Sequence, residues 1–210
     1  MKFLLTAGPT REPLDPVRYL SNRSSGKMGY ALAEAAQRAG HEVTLISGPT
    51  ALARPEGVHF LQVETAGEML KAVQASIVGT DCAIFAAAVA DYRPANIADQ
   101  KIKKSADRLT LLLERTPDIL GSMRALGYRG ALVGFAAETE NVLVNARGKL
   151  VKKGCDLIVA NDVSQHGIGF DADDNAVTLV YEGGREEAIA KMSKRELAEK
   201  LIGVCEKLVK

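Results

Sequence analysis

The stretch CAIFAAAV, residues 82–89, carries no polar side chain, and with Ala90 it is the longest apolar run of the 210-residue chain. It is far too short to span a bilayer. An unbroken apolar segment of strand length is what a parallel strand needs when helices cover both faces of its sheet. Shorter apolar runs lie on either side, at residues 1–7, 42–47 and 58–63 before it and at 131–135 and 156–160 after it. Helical periodicity separates them. Met28, Leu32, Ala35, Ala36 and Ala39 recur at i, i+4, i+7, i+8 and i+11, and Gly40 sits where a C-terminal cap belongs. Residues 68–77 and 142–153 read as further helices. Alternation of strand and helix over residues 1–160 predicts an α/β fold: a doubly wound, mostly parallel, Rossmann-like sheet with right-handed crossovers and helices on both faces.

The C-terminal part breaks the alternation. Residues 176–181 and 185–190 flank Gly183-Gly184, a hairpin turn signal. An amphipathic helix follows over residues 193–209, with Ser193 as N-cap and Glu196 at capping-box spacing. There is no repeat, low-complexity segment or linker, so a single domain over 1–210 is expected. The chain is 47% hydrophobic and 25% charged, the balance of a globular protein with a sizeable core. With 27 Lys+Arg against 26 Asp+Glu the net charge is +1, and no global field draws in nucleic acid or an acidic membrane. The N-terminus turns polar at Thr6 and lacks the apolar core of a signal peptide, so a cytoplasmic protein is expected. Cys82, Cys155 and Cys205 have no CxxC or Cys/His spacing, which argues against zinc and a disulfide framework and for buried free thiols.

In doubly wound sheets ligands sit beyond the carboxyl ends of the strands. Here those ends lead into residues 8–27, 47–50, 90–104, 136–141 and 161–169. The first segment lacks G-x-G-x-x-G: Gly8 stands alone, and Gly26 and Gly29 follow 18 and 21 residues later, counted from Gly8. It carries three prolines (Pro9, Pro13, Pro16) and reads as a loop. It ends in SNRSSGKMG, residues 21–29, whose small residues, hydroxyls and Lys27 at a helix start suit an anion. The plainer reading makes Ser24 or Ser25 an ordinary N-cap. In the next segment Ala86, Ala87 and Ala88 are small enough to admit a flat ring, and Asp91 at the strand end can reach a ribose hydroxyl, a base amine or a metal. Lys101, Lys103 and Lys104 form either a cationic loop closing over phosphates or a solvated face. Residues 109–113 read as one alternating strand. Phe135 can stack on a base. Lys149 and Lys153, at i and i+4, share a helix face. Glu138 is a candidate metal or substrate ligand. Thr116-Pro117-Asp118 reads as a helix start with Thr116 as N-cap. No nucleophile elbow and no P-loop are present, and His41 and His59 fall at strand starts.

Together these segments resemble a known family. TAGPTREPLDPVRYLSNRSSGKMG (6–29), AAAVADYRP (86–94), KIKK (101–104), TPDIL (116–120), GFAAET (134–139) and ANDVS (160–164) occur in order, as in the phosphopantothenate–cysteine ligases of the bacterial type. Members are often the C-terminal half of a bifunctional coenzyme A biosynthesis flavoprotein. The resemblance implies a ligase that uses CTP with Mg²⁺ to convert 4′-phosphopantothenate into an acyl-cytidylate. The amine of cysteine then displaces CMP. By the same likeness Asn22 would hold the acyl group, and Lys101 would be the catalytic lysine of a mobile loop. Ala86, Ala87, Ala88, Asp91, Pro117, Asp118, Ile119, Leu120 and Phe135 would line the nucleotide, while Lys149 and Lys153 would bind its phosphates. Gly8, Ser24, Ser25, Gly26 and Lys27 would take the phosphate of phosphopantothenate or the adjacent triphosphate. The metal ligands are not implied.

A homodimer is expected by likeness, with the hairpin at residues 176–190 as candidate interface. The flavin-dependent decarboxylase half has no counterpart here, so no flavin is expected in this chain. The chain is then either a free-standing ligase or a domain of a longer protein that carries the decarboxylase as a fused partner. Two other readings share the fold. An NAD(P)-dependent reductase would need a glycine fingerprint after the first strand, a ribose reader after the second and a Tyr-x-x-x-Lys pair, and none is present. A non-enzymatic nucleotide-binding module would bind without turnover and would not need Asn22.

Overall fold

The computed structural model describes residues 1–104, 107–163 and 172–209. Its centre is an eight-stranded sheet. The parallel part comprises β1 (Lys2–Ala7), β4 (Glu42–Ser47), β5 (His59–Gln62), β6 (Cys82–Phe85), β9 (Ala131–Glu138) and β10 (Leu157–Asp162), and the antiparallel hairpin of β11 (Asp174–Tyr181) and β12 (Glu186–Ser193) extends one edge. The order is β12-β11-β10-β9-β6-β1-β4-β5. The chain leaves β1 towards β4 and later builds outwards from β6 on the other side, so the direction of winding reverses between β1 and β6.

Alternation along each strand sends side chains to opposite faces. Phe3 and Leu5 of β1 face helices α1 (Lys27–Arg38) and α5 (Lys194–Leu208), while Leu4 faces α2 (Ala66–Ser76), α3 (Ile119–Ser122) and α4 (Val142–Lys153). The expected doubly wound fold is therefore present, with both faces of the sheet buried. The three described cysteines are free and buried, and burial pushes the Cys155 thiol up to about 12. No helix among the described residues is long and apolar enough to cross a membrane.

Helix ends follow local chemistry. Thr65 and Glu68 form a capping box on α2, and Ser193 and Glu196 form the expected one on α5. At the end of the sheet away from the strand C-termini, the Arg124 guanidinium donates to the carbonyls of Tyr128, Gly130 and Gly154 and to the Asp156 carboxylate, which also accepts the Leu132 N–H.

Several expectations need correction. The strand expected over 82–89 stops at Phe85. Its last partner on β9 is Gly134, after which residues 86–90 leave β9 and follow the extension of β1: Ala88 N–H donates to the Gly8 carbonyl at 2.9 Å, and Ala90 N–H to the Thr10 hydroxyl at 2.9 Å. The proline-rich loop after β1 contains a small hairpin, β2 (Arg11–Pro13) with β3 (Tyr19–Ser21). The strand expected at 109–113 lies at β8 (Leu113–Arg115), paired with β7 (Tyr92–Pro94). Asp118, not Thr116, caps α3 and accepts the Gly121 N–H at 2.9 Å. Thr116 is committed elsewhere: its N–H donates to the Asp91 carbonyl and its hydroxyl to that of Ala90.

Candidate active site

The divergence of β6 from β9 opens a cavity of about 760 Å³ at the carboxyl ends of the strands, beside the point where the winding reverses. Its walls come from distant parts of the chain. Asn22 follows β3, Ala86, Ala87, Ala88 and Asp91 lie beyond β6, Pro117, Asp118, Ile119 and Leu120 surround the start of α3, Phe135 and Glu138 end β9, and Lys149 and Lys153 come from α4. Gly134 lets Leu120 of the wall pack against β9, because a Cβ there would lie 2.7 Å from a Leu120 methyl and 2.9 Å from one of Ile158.

Each polar group is held from behind. The Asn22 carboxamide donates to the Ala88 carbonyl at 3.0 Å, and Ser21 before it donates to the Thr10 carbonyl at 2.8 Å. The Lys149 ammonium donates to the Phe135 carbonyl at 2.6 Å, and burial lowers its pKa from the ordinary lysine value. Lys153 pairs with Asp118. Burial pushes the Asp118 carboxyl up, but the hydrogen bonds from Lys153 and the Gly121 amide outweigh it and hold it below the usual carboxylate value. Glu138 accepts from Asn145 at 3.0 Å. One wall thus gathers cations within reach of a ring-sized hollow of alanines, which suits a nucleotide.

A second cavity of about 70 Å³ adjoins the first across Ala86, Phe135 and Ala137 and reaches the start of α1. Ser24, Gly26 and Lys27 line it, with Asn161, Asn175 and Lys194 opposite. Gly26 is the N-cap, at φ +80°, and among the described residues no side chain caps the helix; neither Ser24 nor Ser25 takes that role. The first turn of α1 also has no acidic residue, and its Lys27 ammonium pairs with the Asp173 carboxylate at 2.6 Å; the positive end of a helix suits an anion. Three glycines permit the close packing behind it. A Cβ on Gly26 would lie 2.7 Å from a Thr50 methyl, one on Gly29 2.5 Å from the Ala7 Cβ, and Gly8 turns the chain out of β1 at φ +72°. Gly8 and Gly29 thus serve the tight turn and the close helix–strand packing that glycines serve in dinucleotide folds, here separated by the inserted hairpin that leads to Asn22.

Lys101 lies outside the lining of both cavities, on an exposed loop whose Ile102 N–H donates to Asp15. Of the ANDVS segment, Ser164 lies outside the described residues, as do residues 164–169 of the last strand-end segment.

A family profile described as the DNA/pantothenate metabolism flavoprotein C-terminal domain matches residues 1–208. The chain belongs to that family. The chain is similar to the Coenzyme A biosynthesis bifunctional protein CoaBC of Vibrio parahaemolyticus, 52% identical over 203 residues that make up 95% of this chain and 51% of that protein. The same bifunctional protein of Escherichia coli is 50% identical over 206 residues, 96% of this chain and 50% of that one. The chain thus spans about half the length of the curated relatives it matches. The crystal structure of the C-terminal domain of a CoaBC protein superposes with a TM-score of 0.84 at 42% identity, covering 98% of this chain and 94% of that one.

Several residues on the cavity walls escaped sequence reasoning. Arg115 and Lys152 add positive charge to the large cavity. Asn161 lines the small one, and its Oδ1 is the buried side-chain polar atom without a hydrogen-bond partner among the described residues. Buried polar groups ordinarily have a partner, so this oxygen is available to a water or a ligand group in the cavity. Its place in ANDVS, straight after an apolar strand, was the available signal. Asn175 and Lys194 had none, because they reach the site from the C-terminal hairpin and helix.

Proposed function

We propose that this domain is a phosphopantothenate–cysteine ligase of coenzyme A biosynthesis, joining 4′-phosphopantothenate to L-cysteine with CTP through an acyl-cytidylate. The observation that carries the reading is the convergence on one cavity of Asn22, residues 86–88, Asp91, residues 117–120, Phe135, Lys149 and Lys153, drawn from distant parts of the chain. The names of the half-length-matched relatives, coenzyme A biosynthesis bifunctional proteins, support the pathway.

In the first step the carboxylate of 4′-phosphopantothenate attacks the α-phosphorus of CTP, and pyrophosphate leaves. In the second the cysteine amine attacks the acyl carbon and CMP leaves with the bonding pair, while the amine loses a proton. No protein nucleophile takes part, so the residues act by holding charge and geometry. Asn22 orients the acyl group, with its carboxamide fixed by the Ala88 carbonyl. The alanine wall and Phe135 receive the cytidine, and Asp91 the ribose or base. Lys149 and Lys153 offset the triphosphate charge, Lys101 is the catalytic lysine, carried on the loop outside the cavity lining, and the start of α1 takes a phosphate through residues 24–27.

The residues present fit a Mg²⁺ ion that arrives on the triphosphate. Among the described residues no three His, Cys, Asp or Glu side chains gather into a cage, and nucleotide-borne Mg²⁺ needs only one or two protein carboxylates, for which Asp91 and Glu138 stand in the cavity wall. The ion supplies charge neutralisation of the phosphates.

The reading includes a homodimer. Exposed Val17, Tyr19, Ile97, Leu112 and Leu113 on and around the two small hairpins supply apolar surface for self-association. The β11–β12 hairpin carries ion pairs instead, such as Arg147–Glu186 and Lys191–Asp174, and supports that role less well.

The deciding experiment measures pyrophosphate release by purified protein with Mg²⁺ and 4′-phosphopantothenate, comparing CTP with ATP, with and without cysteine. Release that requires phosphopantothenate, prefers CTP and turns over continuously only with cysteine is expected. Nucleotide binding without any release, from folded protein, would replace the ligase with a nucleotide-binding module.

A further inference from the structure

The turn between β2 and β3 is closed by Asp15, whose side chain has no solvent exposure. Its Oδ1 accepts the N–H groups of Val17 and Arg18 at 2.8 and 2.9 Å, which is all that an Asx-type turn requires. Oδ2 is left over from the turn. It accepts the Arg18 guanidinium and, at 3.0 Å, the N–H of Ile102, a residue 87 positions away. Arg18 in turn donates to the Ile102 carbonyl at 2.9 Å. Both backbone polar groups of Ile102 are therefore bound to one ion pair, of buried Asp15 and exposed Arg18, as a neighbouring strand would bind them. A second tie lies close by: Ala98 N–H donates to the Leu14 carbonyl at 3.0 Å. The short span between these ties, residues 99–101, ends at Lys101.

The other arm of the same hairpin runs through β3 into Asn22. One element thus carries Asn22 at its end and grips the backbone beside Lys101 at its turn. We infer that Asp15 is a positioning residue, which fastens the Lys101 loop to the hairpin so that Lys101 and Asn22 are presented to the substrate as one unit. This rests on the ligase reading for the roles of Lys101 and Asn22, but the fastening itself does not. The Arg18 guanidinium also holds the Asp15 carboxyl well below the usual carboxylate range, which keeps the latch charged throughout the neutral range. Fastening the residue next to Lys101 reduces the entropy lost in ordering a free loop in each turnover.

Two variants test the latch from opposite sides. Asp15→Asn weakens the acceptor, and Ile102→Pro removes the donor while leaving the hairpin and its ion pair intact. Each is compared with wild type for trypsin cleavage after Lys103 and Lys104 and for pyrophosphate release with CTP and 4′-phosphopantothenate, with far-UV circular dichroism as the folding control. Cleavage at these two sites is expected to quicken about tenfold with other sites unchanged, because a fastened segment must open before it is cut. The kcat is expected to fall at least tenfold with the KM for CTP within twofold. In the double variant with Lys101→Gln, Asp15→Asn should add less than threefold to the loss from Lys101→Gln alone, since residues acting as one unit are not additive.

Wild-type cleavage rates at Lys103 and Lys104 in folded Ile102→Pro would overturn the fastening. Faster cleavage with unchanged kcat, or full additivity with Lys101→Gln, would overturn the positioning role. If Asp15→Asn does not fold, Ile102→Pro alone decides by the same readouts, its own double variant with Lys101→Gln included. Wild-type protein that releases no pyrophosphate would defeat the ligase reading, while the cleavage comparison would still judge the latch.

Discussion

The side-chain amide of Asn22 donates to the backbone carbonyl of Ala88 at 3.0 Å, across 66 residues of chain. The bond joins the insert after the first strand to the segment that peels away from the third strand of the parallel core, where the winding of the sheet reverses. It fixes the carboxamide against the alanine wall of the cavity.

Asn22→Ala is expected to lower steady-state ligation on the order of 10²-fold, the scale of losing one preorganised polar contact to a reacting group. The fold should be intact, since Asn22 is exposed. Turnover within a few fold of wild type in a coupled pyrophosphate assay would remove Asn22 from the reacting centre.

Lys101→Gln should cost far more in kcat than in CTP affinity if the lysine acts mainly in the transition state. Equilibrium titration with CTP beside steady-state kinetics separates the two. Equal losses would make Lys101 a ground-state binding residue.

The Asp118–Lys153 pair predicts an acid dependence of stability. Because the folded carboxyl titrates below its unfolded value, the pair's contribution is fully present above the ordinary carboxylate range and is lost as pH falls through the folded pKa. The difference in urea midpoint between wild type and Asp118→Asn should be largest near neutral pH and close as the solution is acidified below about pH 4. A difference that widens on acidification would contradict the pair. At neutral pH, Lys153→Met should raise the KM for CTP several-fold, with the effect shrinking in high salt.

Glycine positions differ sharply in what they tolerate. A Cβ on Gly48 would lie 1.8 Å from the Pro9 carbonyl oxygen, so Gly48→Ala must displace backbone beside the site and should cost about 3 kcal/mol or more. Gly203, inside α5 with nothing within 4 Å, should accept alanine with a gain of about 0.5–1 kcal/mol. Chemical denaturation of the two variants checks both signs.

Arg124→Ala removes the donors to three backbone carbonyls and to Asp156 at the end of the sheet opposite the cavity. A loss of about 3 kcal/mol in unfolding free energy is expected, with kcat and KM unchanged. A kinetic change without a stability change would place Arg124 in the functional machinery.

By itself the amino-acid sequence determined whatever depends on near neighbours along the chain. Apolar runs and 3.6-residue periodicity report which face is buried, and so β4 and α4 lie at the residues read from the pattern, and the Ser193–Glu196 box starts α5 where spacing required. The cations Lys149 and Lys153 were legible for the same reason: i, i+4 spacing places two side chains on one helix face whatever the rest of the chain does. Only the tertiary structure decided where a group had a better partner far away. Thr116 has the position and chemistry of an N-cap, yet its hydroxyl goes to Ala90, and Asp118 caps the helix instead. The apolar run after Cys82 stops being a strand at Phe85 because β1, through Gly8 and Thr10, offers its backbone a ladder that β9 does not continue. Asn161, Asn175 and Lys194 became neighbours of the α1 start only through strand order and the docking of α5. Periodicity records burial but not partners, and a site made of long-range partners is settled when the sheet closes them together.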